Sequence, residues 1–175
     1  MSTIGIFFGT DTGKTRKVAK LIKQKLGEQA ADPVNINRAS LDDLLAYDIL
    51  ILGTPTLGDG QLPGLDAECV SESWAEFANE LANADLSGKT VALFGLGDQE
   101  SYPDDFVSAL GELYDIVSET GANIIGAWPA EGYTFTDSAA LESGSFVGLV
   151  LDQDNQQDLT EERVTRWVSQ LQAEF

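Results

Sequence analysis

The chain has 175 residues, 43% of them hydrophobic, and carries 29 acidic against 10 basic side chains for a net charge of −19. It has no histidine and one cysteine, Cys69, which excludes a histidine-based hydrolase in its usual form, an internal disulfide and a cysteine-rich metal site. No apolar run approaches the roughly 20 residues of a membrane helix, and so acidic a surface suits neither nucleic acid nor anionic membrane.

Residues 1–175 are expected to form one domain with a full-sized core. Ile4–Phe8 reads as a buried strand, and its early start leaves no room for a signal peptide, so a cytoplasmic setting is expected. Gly9–Thr15 (GTDTGKT) resembles a triphosphate loop but places three residues, not four, between its glycines. It is a hydroxyl-rich strand-to-helix junction, suited to a single phosphate on a helix N-terminus. Lys14–Gly27 reads as a helix with Val18, Ala19, Ile22 and Leu26 on one face, and it holds six of the ten basic residues.

Val34–Asn37 is a short edge strand, and Ser40 caps a small helix through Leu45. Ile49–Gly53 is an apolar strand followed by a long loop, and Trp74–Leu81 looks helical. Thr90–Gly95 is the fourth strand, Pro103–Thr120 a helix, and Ile124–Trp128 the fifth strand. Pro129–Ser145 has no helical period, Phe146–Leu151 is β-like, and Thr160–Gln172 is the last helix. Apolar strands alternating with helices predict an α/β doubly wound parallel sheet covered on both faces. Its ligand would sit beyond the carboxyl ends of the strands, where three glycine-bearing loops lie: Thr10–Thr15, Thr54–Gly60 and Gly95–Tyr102. They offer phosphate donors at one end and the Tyr102 ring at the other, with no nucleophile–base pair. That combination suits a held cofactor with a phosphate tail and a planar ring.

Four ordered motifs resemble the flavodoxin family of long-chain type over Ile4–Phe175: TDTGKT, TPTLGDG, GLGDQESYPDDF and LDQDNQQDLTEERVTRWV. The resemblance implies a flavodoxin-like five-stranded parallel sheet in the order 2-1-3-4-5, with a long-chain insertion at about 129–145. It implies FMN as cofactor, with no metal and no catalytic residue. Thr10, Asp11, Thr12, Gly13, Lys14 and Thr15 would wrap the phosphate. Thr54, Pro55, Thr56, Leu57 and Gly58 would line the inner side of the ring. Leu96, Gly97, Asp98, Tyr102, Asp105 and Phe106 belong to the outer loop and its flank, with Tyr102 stacking on the ring. Asp154 matches a position near the ribityl or phosphate end. Leu57 stands where many relatives carry a stacking tryptophan. Trp74, Trp128 and Trp167 read as structural, and Cys69 as passive.

The function so implied is that of a low-potential one-electron carrier, a monomer without substrate turnover, cycling between semiquinone and hydroquinone. Its partners would be basic faces of redox proteins, a flavodoxin reductase-type donor and an acceptor. The extension PGLDAECV (Pro63–Val70) resembles that of flavodoxins associated with nitrogen fixation and suggests nitrogenase reductase as that acceptor. An FMN-dependent quinone reductase of the same fold is the alternative. A phosphoryl-accepting receiver domain lacks its acid cluster here. Acidic side chains at Asp59, Asp98, Glu100, Asp104 and Asp105 would disfavour the last electron, about 59 mV for each 1.4 kcal/mol. Rotation of the Gly58–Asp59 peptide would offer the Gly58 carbonyl to the flavin N5–H, at low strain because glycine tolerates the turn. Gly58→Ala is expected to make the semiquinone less stable, read as a shift in the two midpoint potentials; unchanged potentials would refute this device.

Overall fold

The computed structural model describes residues 3–10, 13–57, 60–69 and 71–175. The strands in chain order are β1 (Ile4–Phe8), β2 (Val34–Asn35), β3 (Ile49–Thr54), β4 (Thr90–Leu96), β5 (Asn123–Ile125), β6 (Trp128–Pro129), β7 (Leu141–Glu142), β8 (Ser145–Phe146) and β9 (Leu149–Leu151). The helices are α1 (Lys14–Leu26), α2 (Leu41–Leu45), α3 (Trp74–Ala82), α4 (Ser108–Ser118) and α5 (Thr160–Glu174). The main sheet runs β2-β1-β3-β4-β5, all parallel, with β9 also paired to β4. Its order is the one expected from the sequence. β1, β3 and β4 are buried almost throughout because helices cover both of their faces, as their unbroken apolar runs require.

Local chemistry sets the helix ends. Ser40 and Asp43 form a reciprocal capping box: Asp43 N–H donates to Ser40 Oγ (3.3 Å) and Ser40 N–H to Asp43 Oδ2 (2.8 Å). Gly13 (φ 91°) opens α1 in a left-handed conformation that a side chain would strain. Trp74 and Trp167 are fully buried, and each indole N–H is satisfied: Trp74 donates to Gly53 O (2.7 Å) and Trp167 to Gly126 O (2.9 Å). Trp128 donates to the Tyr133 hydroxyl (2.9 Å), so all three tryptophans are structural, as expected.

Two elements depart from the sequence reading. The helix expected from Pro103 begins only at Ser108. The Pro103 carbonyl accepts N–H bonds from Thr136 (2.7 Å) and Asp137 (3.0 Å), and the Phe106 N–H donates to Asp137 O (3.3 Å). Tertiary bonds therefore hold 103–106 outside the helix although its apolar spacing continues. Val107 then enters α4 at φ 49°, a left-handed conformation costly for a β-branched residue. The expected fifth strand Ile124–Trp128 is also divided. β5 pairs only with Thr90–Ala92, while β9 pairs with Phe94–Leu96. Between them, the stretch without helical period carries β6, β7 and β8 as a small antiparallel sheet.

That stretch docks through an aromatic cluster. The Phe106 ring lies 5.3 Å from Phe135, 5.7 Å from Tyr133 and 6.1 Å from Phe146. Tyr133 donates to Val150 O, and burial pushes its phenol up to about 12, so it remains a donor at neutral pH. On the other side, α4 meets the stretch at Gly111, where an added Cβ would stand 2.2 Å from Ala139 O and 2.4 Å from Ala139 C. At a free helix position Gly→Ala gains about 1 kcal/mol. Here backbone blocks the methyl, so Gly111→Ala is expected to destabilise the protein by about 2 kcal/mol, measured by urea unfolding. A gain in stability would show that α4 and 139–140 are not in contact.

Candidate functional site: a cleft at the carboxyl ends of the strands

β1, β3, β4 and β9 all end at one edge of the main sheet, and the segments that follow them enclose a cleft. Its empty space is about 730 Å³ counting the open mouth. After β1, the Thr10 hydroxyl accepts the Gly13 N–H (2.9 Å) and shapes the turn into α1. Lys14 and Thr15, in the first turn, line the cleft. That turn carries no acidic residue, so no side chain of the helix itself offsets the positive end of its dipole.

After β3, Pro55, Thr56 and Leu57 form the second wall. Leu57 and Gln61 pair as an antiparallel bridge, N–H to carbonyl at 2.9 and 2.7 Å. After β4, Leu96, Gly97, Asp98, Tyr102 and Asp105 make the facing wall. Tyr102 is 47% exposed, among the few large hydrophobic side chains left open to solvent. After β9, Gln153 and Asp154 complete the rim, and Lys14 Nζ pairs with Asp154 across it.

Most of the residues expected from the sequence therefore meet at one place. Asp11, Thr12 and Gly58, together with Asp59, lie outside the described residues. Four others do not line the cleft: Gly13, which takes the left-handed position that opens α1, and Phe106, Thr54 and Thr10. Phe106 does not line the cleft, because its ring belongs to the buried aromatic cluster. Thr54 is fully buried, with its hydroxyl given to Pro55 O (2.8 Å). Thr10 spends its hydroxyl acceptor on Gly13 N–H. The sequence reading missed Val107 and Gln153, both lining the cleft. It also missed Asp152, which is fully buried. The Asp152 Oδ1 accepts N–H bonds from Asp154 (3.1 Å) and Asn155 (2.9 Å), an Asx-type turn that the D-x-D-N spacing signals.

Two cleft-lining hydroxyls decide what the site can take. Thr15 Oγ1 and Thr56 Oγ1 are buried and have no hydrogen-bond partner among the described residues. A buried polar group left unpaired costs about 1–3 kcal/mol, so both call for a ligand acceptor. Thr15 stands at the helix N-terminus, where an anion is favoured. A phosphate-bearing group fits these donors. Leu57 and Tyr102, on walls of different loops, supply apolar surface for a ring.

The whole chain matches a known family. The flavodoxin family model aligns with residues 6–167. The chain belongs to the flavodoxin family. It is 64% identical over 171 residues to a flavodoxin of Klebsiella pneumoniae, covering 98% of this chain and 97% of that one. It is 47% identical to flavodoxin 1 of Escherichia coli strain K12, covering 100% and 96%. Among solved structures, Fusobacterium nucleatum flavodoxin bound to flavin mononucleotide superposes with a TM-score of 0.89 at 32% identity, covering 100% of this chain and 99% of that one.

Electrostatics in the cleft are set by hydrogen bonds as well as charge. Partial burial pushes the Asp98 carboxyl up. Donors outweigh it: Ser101 N (3.0 Å), Asn155 Nδ2 (2.8 Å) and Glu100 N (3.2 Å) hold the group below the ordinary aspartate value. A depressed folded value means stability that is present above the unfolded value, about 3.9, and lost as pH falls through the folded one. In Asn155→Ala the Asp98 carboxyl should titrate closer to the ordinary value, and acid unfolding should begin at higher pH, read by NMR titration and circular dichroism. Asp98 titrating at the ordinary value in the unaltered chain would contradict this geometry.

Proposed function

We propose that the chain is a cytoplasmic, monomeric, single-domain electron carrier that holds FMN non-covalently in this cleft. The observation that carries the reading is the pair of unpartnered hydroxyls, Thr15 and Thr56, beside the start of α1. Membership of the flavodoxin family, and the FMN held by its Fusobacterium relative, support the same cofactor. The phosphate would be held by the Thr10–Thr15 turn, including Asp11 and Thr12, and by the Thr15 hydroxyl. The ring would lie between Leu57 and Tyr102. Asp154 and Gln153 would face the linking chain, and Gly58 would edge the ring.

FMN when bound supplies the one-electron redox chemistry, and the protein tunes it. Asp98 and Asp105 put negative charge on the cleft wall, and the lysine at its rim, Lys14, is already paired with Asp154. An added electron therefore sits in an unfavourable field, which makes for a strong reductant. The open mouth and exposed Tyr102 leave the ring edge within reach of a partner, while acidic Glu100 and Asp104 beside it would steer basic faces of a reductase and an acceptor. The Pro63–Val70 extension supports nitrogenase reductase as one acceptor.

The test is FMN titration followed by stepwise anaerobic reduction. Two separate one-electron steps support the carrier, and a single two-electron step supports the quinone-reductase alternative. Thr15→Val and Thr56→Val each remove an unpartnered hydroxyl, so stability without FMN should hold or rise while FMN affinity falls about tenfold (about 1.4 kcal/mol). Unchanged affinity in both variants would place the phosphate elsewhere.

A further inference from the structure

The cleft wall beyond the ring is made of two segments, and each has side chains on both of its faces. Asp98 lines the cleft while Gln99 is turned away; Gln153 and Asp154 line it while Asp152 and Asn155 are turned away. Behind the wall, the turned-away side chains bond to one another. Asp152 Oδ2 accepts from Gln99 N (3.1 Å), Gln99 Nε2 (2.8 Å) and Asn155 Nδ2 (2.9 Å). The other oxygen takes the N–H groups of Asp154 and Asn155. Asn155 Nδ2 also reaches Asp98 Oδ1 (2.8 Å), and Gln99 Oε1 accepts the Thr134 N–H.

We propose that Asp152 and Gln99 are positioning residues for FMN: their buried brace fixes the Asp98–Tyr102 wall at the spacing that a flat ring needs. The inference rests on the FMN reading. Asp152 is fully buried and forms no ion pair among the described residues. Its charge is balanced by five N–H donors, three of them on one oxygen. Such a group is held by geometry, and its loss is expensive because each donor would be left unpaired. Gln99, 4% exposed, is committed at both ends of its amide, to Asp152 and to Thr134. The chain Thr134–Gln99–Asp152–Asn155–Asp98 therefore crosses from the 126–148 excursion to the cleft wall with no slack. Neither Asp152 nor Gln99 lines the cleft, so any effect on FMN must pass through the wall.

Gln99→Leu keeps the Asp152 charge and removes both amide bonds. Asp152→Asn keeps the shape but turns a donor toward the donors that met a carboxylate oxygen. Leu26→Ala, at the far end of α1, is the control for a general loss of stability. FMN titration of the full-length chain, visible circular dichroism of the bound flavin, and amide exchange over 97–102 without FMN are the measurements. Gln99→Leu and Asp152→Asn should each weaken FMN binding at least tenfold, alter the flavin bands and speed exchange in 97–102. Leu26→Ala should lower stability and change none of the three. If Gln99→Leu binds FMN within twofold of the unaltered chain with the same bands, the inference fails, whatever Asp152→Asn does. It fails also if Leu26→Ala loses as much affinity as Gln99→Leu. FMN failing to bind the unaltered chain would instead overturn the FMN reading, and this inference with it.

Discussion

β4 needs a parallel partner along all of its outer side, and no single strand supplies one. β5 covers only Thr90–Ala92, so the half of β4 nearest the cleft would be left with unpaired backbone groups in a buried sheet. The chain meets this by leaving the sheet after Ile125 and returning at Leu149 to pair with Phe94–Leu96. Much of the architecture follows from that return. It carries the aromatic cluster around Phe106, brings Thr134, Thr136 and Asp137 against the outer loop, and sets the Asp152–Asn155 turn beside it. The bond from Gly97 N to Leu151 O (3.1 Å) continues the strand pairing into the cleft wall. The sheet and the site are thus joined by one run of hydrogen bonds.

The charge distribution resolves in a similar way. Six of the ten basic residues lie in α1, which suggests a basic face on an acidic protein. Most are engaged within the fold. Lys23 donates to Gly27 O (2.9 Å) and Ala30 O (2.6 Å) at the helix C-terminus, where a cation also suits the dipole. Lys25 pairs with Glu161 of α5 (3.2 Å), Lys14 with Asp154, and the Arg16 guanidinium lies over the Phe8 ring at 5.1 Å. Lys17 and Lys20 are left facing solvent. Most of the positive charge of α1 is thus used to tie the helix into the fold, and the exterior is dominated by carboxylates.

The parallel sheet and the place of the cleft were legible because they rest on local signals, unbroken apolar runs for the strands and the glycine- and threonine-rich turns at their ends, whereas the strand order came from the resemblance of the four motifs to the flavodoxin family. Thr15 and Tyr102 could be placed from those turns alone, while Lys14, Leu57 and Asp98 came from the motif resemblance. The brace was not legible. Asp152 reads as one more acid in an acidic DQDN run, and its burial depends on Gln99 and Thr134, which lie far away in sequence. The start of α4 was hidden for a related reason: Phe106 and Val107 continue the helical spacing, but bonds from 136–137 hold that stretch outside the helix. Phe106 was placed at the flank of the outer loop by the motif resemblance, whereas its ring packs in the aromatic cluster with Tyr133, Phe135 and Phe146.

The divided fifth position also orders the making of the protein. A chain emerging from the ribosome can pair β1 with β3 and β3 with β4 once the first hundred or so residues are out, since domains form from the N-terminal side as they are synthesised. The cleft half of β4 must wait for Leu149–Leu151, and the rim for Gln153 and Asp154, near the end of the chain. Until then the exposed strand edge beside Phe94 is a hazard for pairing with a neighbouring chain. The rim is thus the last part of the pocket to be made, long after the phosphate turn and both ring walls.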